Sequence, residues 1–487
     1  MSKIYQFVHN FLKAFPTQPL IIAYSGGVDS QVLLQVIHQL KVNAAITNDV
    51  SVCHVNHGLS PNAHEWQNFA EQQCVQRTLP FLPLSVSLDL TQGRSVEALA
   101  RDARYQALIN VSSLPVVILT GHHLDDQAET FLLAMKRGAG VKGLSSMNEI
   151  STLEQHVLGR PLLGTSRQDI VSFAKDNKLD WIEDESNQNN TYDRNFLRNE
   201  IIPQLVERWP SIASTISRSA QHCQQSQTLL DELAEIDYQT CINKKDKSVL
   251  NIPNVLQLSE ARFNNLFRYF LTTLQRTMPS AAQLNQIRRQ MEADAQQAPL
   301  VIWGENACRR FKKKLFITPL YNDISAQAYS VTIDHLAFAS LDSDLGKQQQ
   351  IALSEIIELP DGLGELHLST INTEVKQECP LVEHSMRSKN VNIEVVSEQV
   401  IALPSKKSVV NVAFQHNNPK VLPDFRQHHR PLKKVLQELN IPVWQRKRLP
   451  LLFIDDELAA VIGQFTCQSF LPSESNLNLA IRWLKYN

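Results

Sequence analysis

Short apolar runs alternate with helical apolar stripes along the first two hundred residues. Pro19–Tyr24 (PLIIAY) is apolar almost throughout, and Val28–Leu40 then places Val32, Leu33, Val36, Ile37 and Leu40 at helical spacing. Val50–Asn56, Phe81–Leu88 and Pro115–Thr120 predict further strands, and Phe69–Leu79, Ser95–Asn110 and Leu124–Arg137 predict the helices between them. Such alternation predicts βαβ units and a parallel sheet covered on both faces. Ligands of such sheets sit beyond the carboxyl ends of the strands. Ser166–Lys178 reads as another helix, opened by Ser166 and Asp169 in the manner of a capping box. Asn195–Glu207 continues helically apart from Pro203.

From Ser211 to Leu320 the pattern is mainly helical and Gln-rich, with Leu229, Leu233 and Ile236 in period. Phe263, Leu266, Phe267, Phe270 and Leu271 form a stripe that reads as core. Cys308–Phe316 (CRRFKKKLF) reads as a short strand with five basic residues, and lysines on an edge strand also block aggregation. Tyr321–Val400 is poorly periodic. Its alternating stretches Val331–Ile333 and Gly364–Leu368 predict a small β-rich insert or a linker. Beyond Ala402, strand signals at Val409–Phe414, Leu451–Ile454 and Leu458–Val461 surround one helix, Leu432–Leu439. The fold class expected is α/β at the N-terminus, then a mainly helical domain and a small α+β domain. The boundaries fall at 1–210, 211–320, 321–400 and 401–487.

Composition excludes whole-chain disorder: 43 % of the 487 residues are hydrophobic and 20 % charged. The net charge of −2 excludes a uniformly polybasic protein, yet the charge is uneven. Val255–Leu320 carries ten Lys/Arg against four Asp/Glu, Tyr321–Val400 four against thirteen, and Ile401 onward twelve against six. Two basic blocks suit a polyanion. Solvated faces would carry the same charges, so charge alone does not decide. Seven scattered cysteines without a CxxC exclude a disulfide framework and a thiolate metal site. No run of about 18 apolar residues predicts a membrane span. MSKIYQFVHNFLKAF lacks the marks of a signal peptide, so a cytoplasmic protein with reduced thiols is expected.

The most informative string is IIAYSGGVDS (Ile21–Ser30). A strand runs into Ser-Gly-Gly and then a helix. Glycines let backbone N–H groups point inward, and the helix N-terminus favours an anion. Ser25 and Ser30 add hydroxyls. Asp29 would repel phosphate unless a cation bridged them, which points to Mg²⁺. A plain capped turn is the simpler reading of an SGG turn by itself. The whole string, however, resembles the PP-loop signature of the ATP pyrophosphatase group, which cleaves ATP to AMP and pyrophosphate. That resemblance implies that Ser25, Gly26, Gly27, Val28, Asp29 and Ser30 hold the pyrophosphate part of ATP.

Four further constellations carry chemistry. GHHLDDQAET (Gly121–Thr130) places Asp125 and Asp126 four and three residues before Glu129, on one helical face. That suits Mg²⁺, although acids also favour the first turn of any helix. His122 or His123 could touch phosphate or move a proton. In SVEALARDARY (Ser95–Tyr105), Arg101 and Arg104 could reach phosphate or developing charge, and Glu97 with Arg101 could equally be a surface pair. DESNQNNTYDRNFLR (Asp184–Arg198) reads as a loop bringing Asn and Arg near a nucleotide, or simply as a capped loop. Finally, Arg430, Lys433, Lys434, Arg446, Lys447 and Arg448 cluster around Trp444, a mixture suited to RNA phosphates or to a solvated helix and edge strand.

Together, SGGVDS, HVNHGLS (His54–Ser60), the AR–RY pair, GHHLDDQAETFLL, RGAGVKGL (Arg137–Leu144), RPLL (Arg160–Leu163), DESN…YDRNFLR and the C-terminal LKK…IPVWQRKRLPLL resemble the bacterial tRNA(Ile)-lysidine synthase family. The resemblance is tight over about 20–200, good over 430–465 and weak over 210–425. It implies a ligase that adenylates the wobble cytidine of a CAU-anticodon tRNA(Ile) with ATP and then joins L-lysine to it. It implies catalytic roles for Asp29, Asp126, Glu129, Arg101, Arg104 and His122, with Mg²⁺ on Asp29, Asp126 and Glu129. RNA contacts fall to Arg194, Arg198, Arg430, Lys433, Lys434, Arg446, Lys447 and Arg448. No membrane partner is expected, and the sequence leaves a homodimer open. Three rivals remain: a tRNA thiolase, which would need reactive cysteines; a glutamine-fed synthetase, which would need an amidotransferase; and a non-catalytic RNA-binding protein with a decayed nucleotide site.

Overall fold

A computed structural model describes residues 2–58, 60–88, 96–292, 300–334, 354–371, 393–404, 407–472 and 477–486. Leu59, Ser95, Cys379 and much of 335–392 lie outside the described residues, as do any expectations that fall on them. The chain divides into two compact units, Met1–Ile236 and Asp237–Asn487.

In the first unit, helix α1 (Lys3–Leu12) precedes strand β1 (Leu20–Ala23), which enters helix α2 (Val28–Val42). Then follow β2 (Val50–Asn56), α3 (Ala63–Gln76), β3 (Phe81–Ser85), α4 (Val96–Ile109), β4 (Val117–Leu119) and α5 (Leu124–Lys136). A short helix α6 (Val141–Leu144) leads to the hairpin β5 (Ile150–Leu153) and β6 (His156–Gly159), and then to α7 (Arg167–Asp176). The sheet order is β3-β2-β1-β4-β6-β5, parallel except for β5. The hairpin is absent from the sequence reading, because its outer strand is short and half exposed.

The apolar stripe of α2 does what its spacing predicts. Val32, Leu33, Val36, Ile37 and Leu40 are fully buried and pack with Leu20, Ile22, Val52, Val117 and Leu119 of the sheet. Ser166 caps α7 by accepting the Asp169 N–H at 3.1 Å. The position of β1 matters most for function. The chain runs from β1 outward to β2 and β3, then returns to place β4 on the other side of β1. The carboxyl ends of β1 and β4 therefore flank a topological switch point, where open α/β sheets bind ligands.

The stretch 211–320 is mainly helical, as expected, and adds a sheet that the sequence pattern does not show. After the 30-residue helix Ile212–Cys241, the helices Glu260–Thr273 and Ala281–Glu292 pack on a five-stranded sheet. Its order is Ile242–Asn243, Asp246–Asn251, Lys314–Pro319, Asn306–Phe311, Leu300–Trp303, with every pairing antiparallel. These strands have six residues at most, too few for period two to stand out beside strong helical stripes. Phe263, Phe267 and Phe270 fill the core as the stripe predicts. The described parts of 321–400 are neither separate insert nor linker. Strand Ala328–Asp334 pairs with Lys407–Ala413, and strands Gly364–Ile371 and Ile393–Ala402 both pair with Asn478–Tyr486. Leu366, Leu368 and Ile401 share one core with Val410, Leu452 and Ile481. Those pairings span long sequence separations, which local periodicity does not register.

Candidate active site

The loop after β1 is built for close approach. Gly26 has φ +88°, and a Cβ there would meet Ile182 Cδ1 at 3.0 Å. The Gly26 carbonyl accepts the Ile182 N–H at 2.9 Å, tying the loop to the segment after α7. Gly27 caps α2 without a side chain. Ser30 Oγ donates to the Gly27 carbonyl at 3.0 Å and lies 3.2 Å from Ser25 Oγ. On the next strand, a Cβ at Gly121 would meet the Asp29 and Ser30 backbone at 3.0 Å. Glycine here lets the loops after β1 and β4 touch. A buried polar chain stiffens the base: Tyr24 donates to Gln31 at 2.6 Å, and Gln31 donates to Gln73 at 2.7 Å.

His123, not His122, lies at the centre of the acidic cluster. Its Nε2 is 3.6 Å from Asp29 Oδ1 and 3.5 Å from Asp126 Oδ2, and its Nδ1 is 3.6 Å from Asp125 Oδ2. Burial lowers the His123 pKa, but the three carboxylates outweigh burial and raise it overall. Burial raises the Asp29 pKa, against His123 and Arg167. Burial would also raise Asp126, but His123 and His122 hold it below the usual range. His122 instead shares a 2.7 Å hydrogen bond with Thr120 Oγ1, and burial depresses its pKa to about 4. It is neutral at physiological pH, so it can donate or accept one hydrogen bond but does not supply a cation.

Glu129, expected as a metal ligand, is held by two arginines. It is fully buried, and both its oxygens are taken: Arg198 Nε donates to Oε1 at 2.6 Å, while Arg194 Nε and Arg198 Nη2 each donate to Oε2 at 2.9 Å. Arg198 also reaches Asp126 Oδ1 at 3.2 Å. Asp126 is engaged on both oxygens as well, Oδ2 accepting the His123 N–H at 3.0 Å. Among the described residues no three His, Cys, Asp or Glu side chains form a ready-made cage. Asp29 Oδ1 is buried with no hydrogen-bond partner. Such an orphaned anionic oxygen suits a cation beside a phosphate loop.

Arg194 and Arg198, expected as RNA contacts, here pair with these buried carboxylates. The Asn-rich loop that carries them folds on itself: Asn195 donates to the Ser186 and Asn189 carbonyls, and Asn199 to Asn187 and Asn190. The arginines then enter on a short helix, Asp193–Phe196, and a π-helical turn, Leu197–Ile201. Arg104 donates to His57 at 3.4 Å, and Arg101 lies over the Tyr105 ring at 5.2 Å. Arg101 also lies near enough to His122 to help lower its pKa. The sequence reading missed Arg167, whose Nη1 is 3.5 Å from Asp29 and whose N–H donates to Asp125 at 2.8 Å. Its only local signal is its place at the start of a capped helix.

The C-terminal basic residues divide. Lys433, Lys434 and Lys447 are exposed. Arg430 pairs with Glu438 at 2.5 Å, and Arg446 donates to the Ile441 carbonyl at 2.7 Å. Arg448, also expected as an RNA contact, is 9 % exposed and pairs with Asp361. Trp444 packs edge-on against Phe311 and Phe316 and is no free stacking platform.

Cys53 and Cys74 are buried, and burial pushes their thiols up to about 12 and about 11. Neither is the accessible thiolate that sulfur transfer requires.

A PP-loop domain model matches residues 1–205, a TilS substrate binding domain model matches 250–316, and a TilS substrate C-terminal domain model matches 410–483. The tRNA(Ile)-lysidine synthase of Histophilus somni (strain 129Pt) is 36 % identical over 463 residues, covering 94 % of this chain and 98 % of its own. That of Vibrio vulnificus (strain YJ016) is 37 % identical over 461 residues, 94 % of each chain. That of Serratia proteamaculans (strain 568) is 35 % identical over 468 residues, 96 % of this chain and 95 % of its own.

Proposed function

Since the chain belongs to the tRNA(Ile)-lysidine synthase family, we propose that its switch-point cluster adenylates the wobble cytidine of CAU-anticodon tRNA(Ile) and couples it to L-lysine. The cytosine C2 oxygen attacks the α-phosphorus of ATP, and pyrophosphate leaves. The lysine ε-amine, in its neutral form, then attacks C2. AMP departs with the former C2 oxygen, and the nitrogen loses a proton. Codon reading and aminoacylation identity pass from methionine to isoleucine.

The observation that carries this reading is the touching of two loops. The glycine loop of β1 and the acidic helix start of β4 meet at Gly121, and Asp29 and Asp126 face one histidine. The loop supplies N–H groups and hydroxyls for the pyrophosphate. Asp29 and Asp126 would hold Mg²⁺, which supplies charge neutralisation for the departing pyrophosphate. Arg194 and Arg198 fix the Glu129 carboxylate, and Arg198 also reaches Asp126. Neutral His122 is available as a hydrogen-bond partner near the phosphates. The exposed lysines of the second unit take tRNA phosphates. Among the described residues no helix is long and apolar enough to cross a membrane, and a cytoplasmic enzyme acting on tRNA is the matching setting.

The test is AMP release from ATP with CAU-anticodon tRNA(Ile) and L-lysine. AMP formation should require both substrates and should not occur with the methionine tRNA of the same anticodon. AMP formation that ignores the tRNA would reject the reading.

A further inference from the structure

Four stretches distant in sequence meet at one joint in the second unit. The Arg448 guanidinium pairs with the Asp361 carboxylate, and its Nη2 donates to the Asp361 carbonyl at 2.9 Å. Asp361 also accepts the Asn322 N–H at 3.2 Å and the Asn322 amide at 2.8 Å. The Tyr321 ring has the Arg448 guanidinium 4.1 Å and the Arg309 guanidinium 5.5 Å from its centre. Arg309 also approaches the Trp444 ring at 5.6 Å, and that ring lies 5.4 Å from Phe316 and 6.1 Å from Phe311. Lys312 hydrogen-bonds the Asn440 side chain. Guanidinium faces on aromatic rings strengthen as water is excluded, and lysine does not reproduce that flat contact.

The joint brings together the two basic blocks that the sequence separates. The hairpin tip carries exposed Lys312, Lys313 and Lys314. Its contact with Asn440 sets it beside the C-terminal end of helix Leu432–Glu438, and Lys433 and Lys434 stand exposed on the first turn of that helix.

We infer that the Arg309–Tyr321–Arg448–Asp361 joint is a clamp that holds both lysine blocks as one phosphate-binding surface for tRNA. The inference rests on the tRNA reading above. It makes the two arginines positioning residues and leaves the contact itself to lysines. Two patches on one rigid body engage a polyanion together, because the second contact forms at high effective concentration. A loosened joint would lower affinity although no cation is lost.

The test uses the full chain. Tyr321→Leu should raise the KM for tRNA about tenfold with kcat retained, a loss near 1.4 kcal/mol. It should also make the salt dependence of tRNA binding shallower. Tyr321→Phe keeps the ring and should behave as wild type. If the leucine variant does not fold, Arg448→Lys keeps the charge without the planar stack and is scored the same way. Wild-type KM and salt slope in a folded clamp variant would overturn the clamp alone. Unchanged affinity and slope in Lys313→Gln/Lys314→Gln and in Lys433→Gln/Lys434→Gln would overturn the tRNA reading of this unit, and the clamp with it.

Discussion

The first unit gathers its charges and the second spreads them. Around the loops of β1 and β4, Asp29, Asp125, Asp126 and Glu129 converge with His123, Arg194 and Arg198 largely out of water, with the exposed Arg167 at the edge. In the second unit Lys313, Lys314, Lys433, Lys434 and Lys447 stand exposed. The difference follows from the two tasks. Group transfer benefits from fixed charges in a low-dielectric site, where no reorganisation is needed as the reaction proceeds. Holding a polyanion benefits from solvated cations that displace counterions. Arginine supports both: it neutralises buried carboxylates in one unit and clamps aromatic rings in the other.

The comparison breaks most readily at Asp29 and Asp126. Asp29→Asn or Asp126→Asn should lower kcat about a hundredfold or more while tRNA affinity holds. Steady-state lysidine formation and a filter-binding titration read the two quantities separately. A parallel loss of binding would mean that the units do not divide the work in this way.

Glu129 sharpens the claim that gathered charge is also structural. Glu129→Gln leaves two arginines facing a neutral amide, and breaking such a buried pair costs about 3–5 kcal/mol. Urea denaturation should show that drop, and a stability within 1 kcal/mol of wild type would place Glu129 outside the ion-pair role, on the ~3–5 kcal/mol scale of buried pairs.

Acid should weaken the first unit through His122, whose folded pKa is depressed to about 4 by burial. Below the unfolded value of about 6.5, the unfolded chain binds the proton more readily than the folded one. Its contribution is therefore complete above that value and is lost as pH falls from there toward 4. Stability measured from pH 7 to pH 4 should decline less in His122→Asn than in wild type. Identical profiles would contradict the assignment. The smallest effect belongs to the dispersed lysines. Lys433→Gln/Lys434→Gln should reduce the slope of log K against log salt by about 2 and weaken different RNAs alike.

Legibility divides along the same line. SGGVDS and GHHLDDQAET announce the site because each lies within one strand-to-helix turn, and the sheet order does no more than set those turns side by side. The helical stripe from Phe263 to Leu271 is core, as its spacing predicts. What escaped the sequence depends on distant pairing. The pairing of Glu129 with Arg194 and Arg198 is invisible locally because the arginines lie in another loop. Arg448 looked like an RNA contact because Asp361 and Tyr321 come from elsewhere in the chain. His122 and His123 are adjacent and chemically identical, and only the backbone turn decides which one faces the carboxylates.

The most direct test of the central claim is incorporation of labelled L-lysine into CAU-anticodon tRNA(Ile), with and without ATP, beside the methionine tRNA of the same anticodon. The account predicts label in the isoleucine tRNA alone, and only with ATP. Label in both tRNAs, or in neither while ATP is still cleaved to AMP, would contradict it.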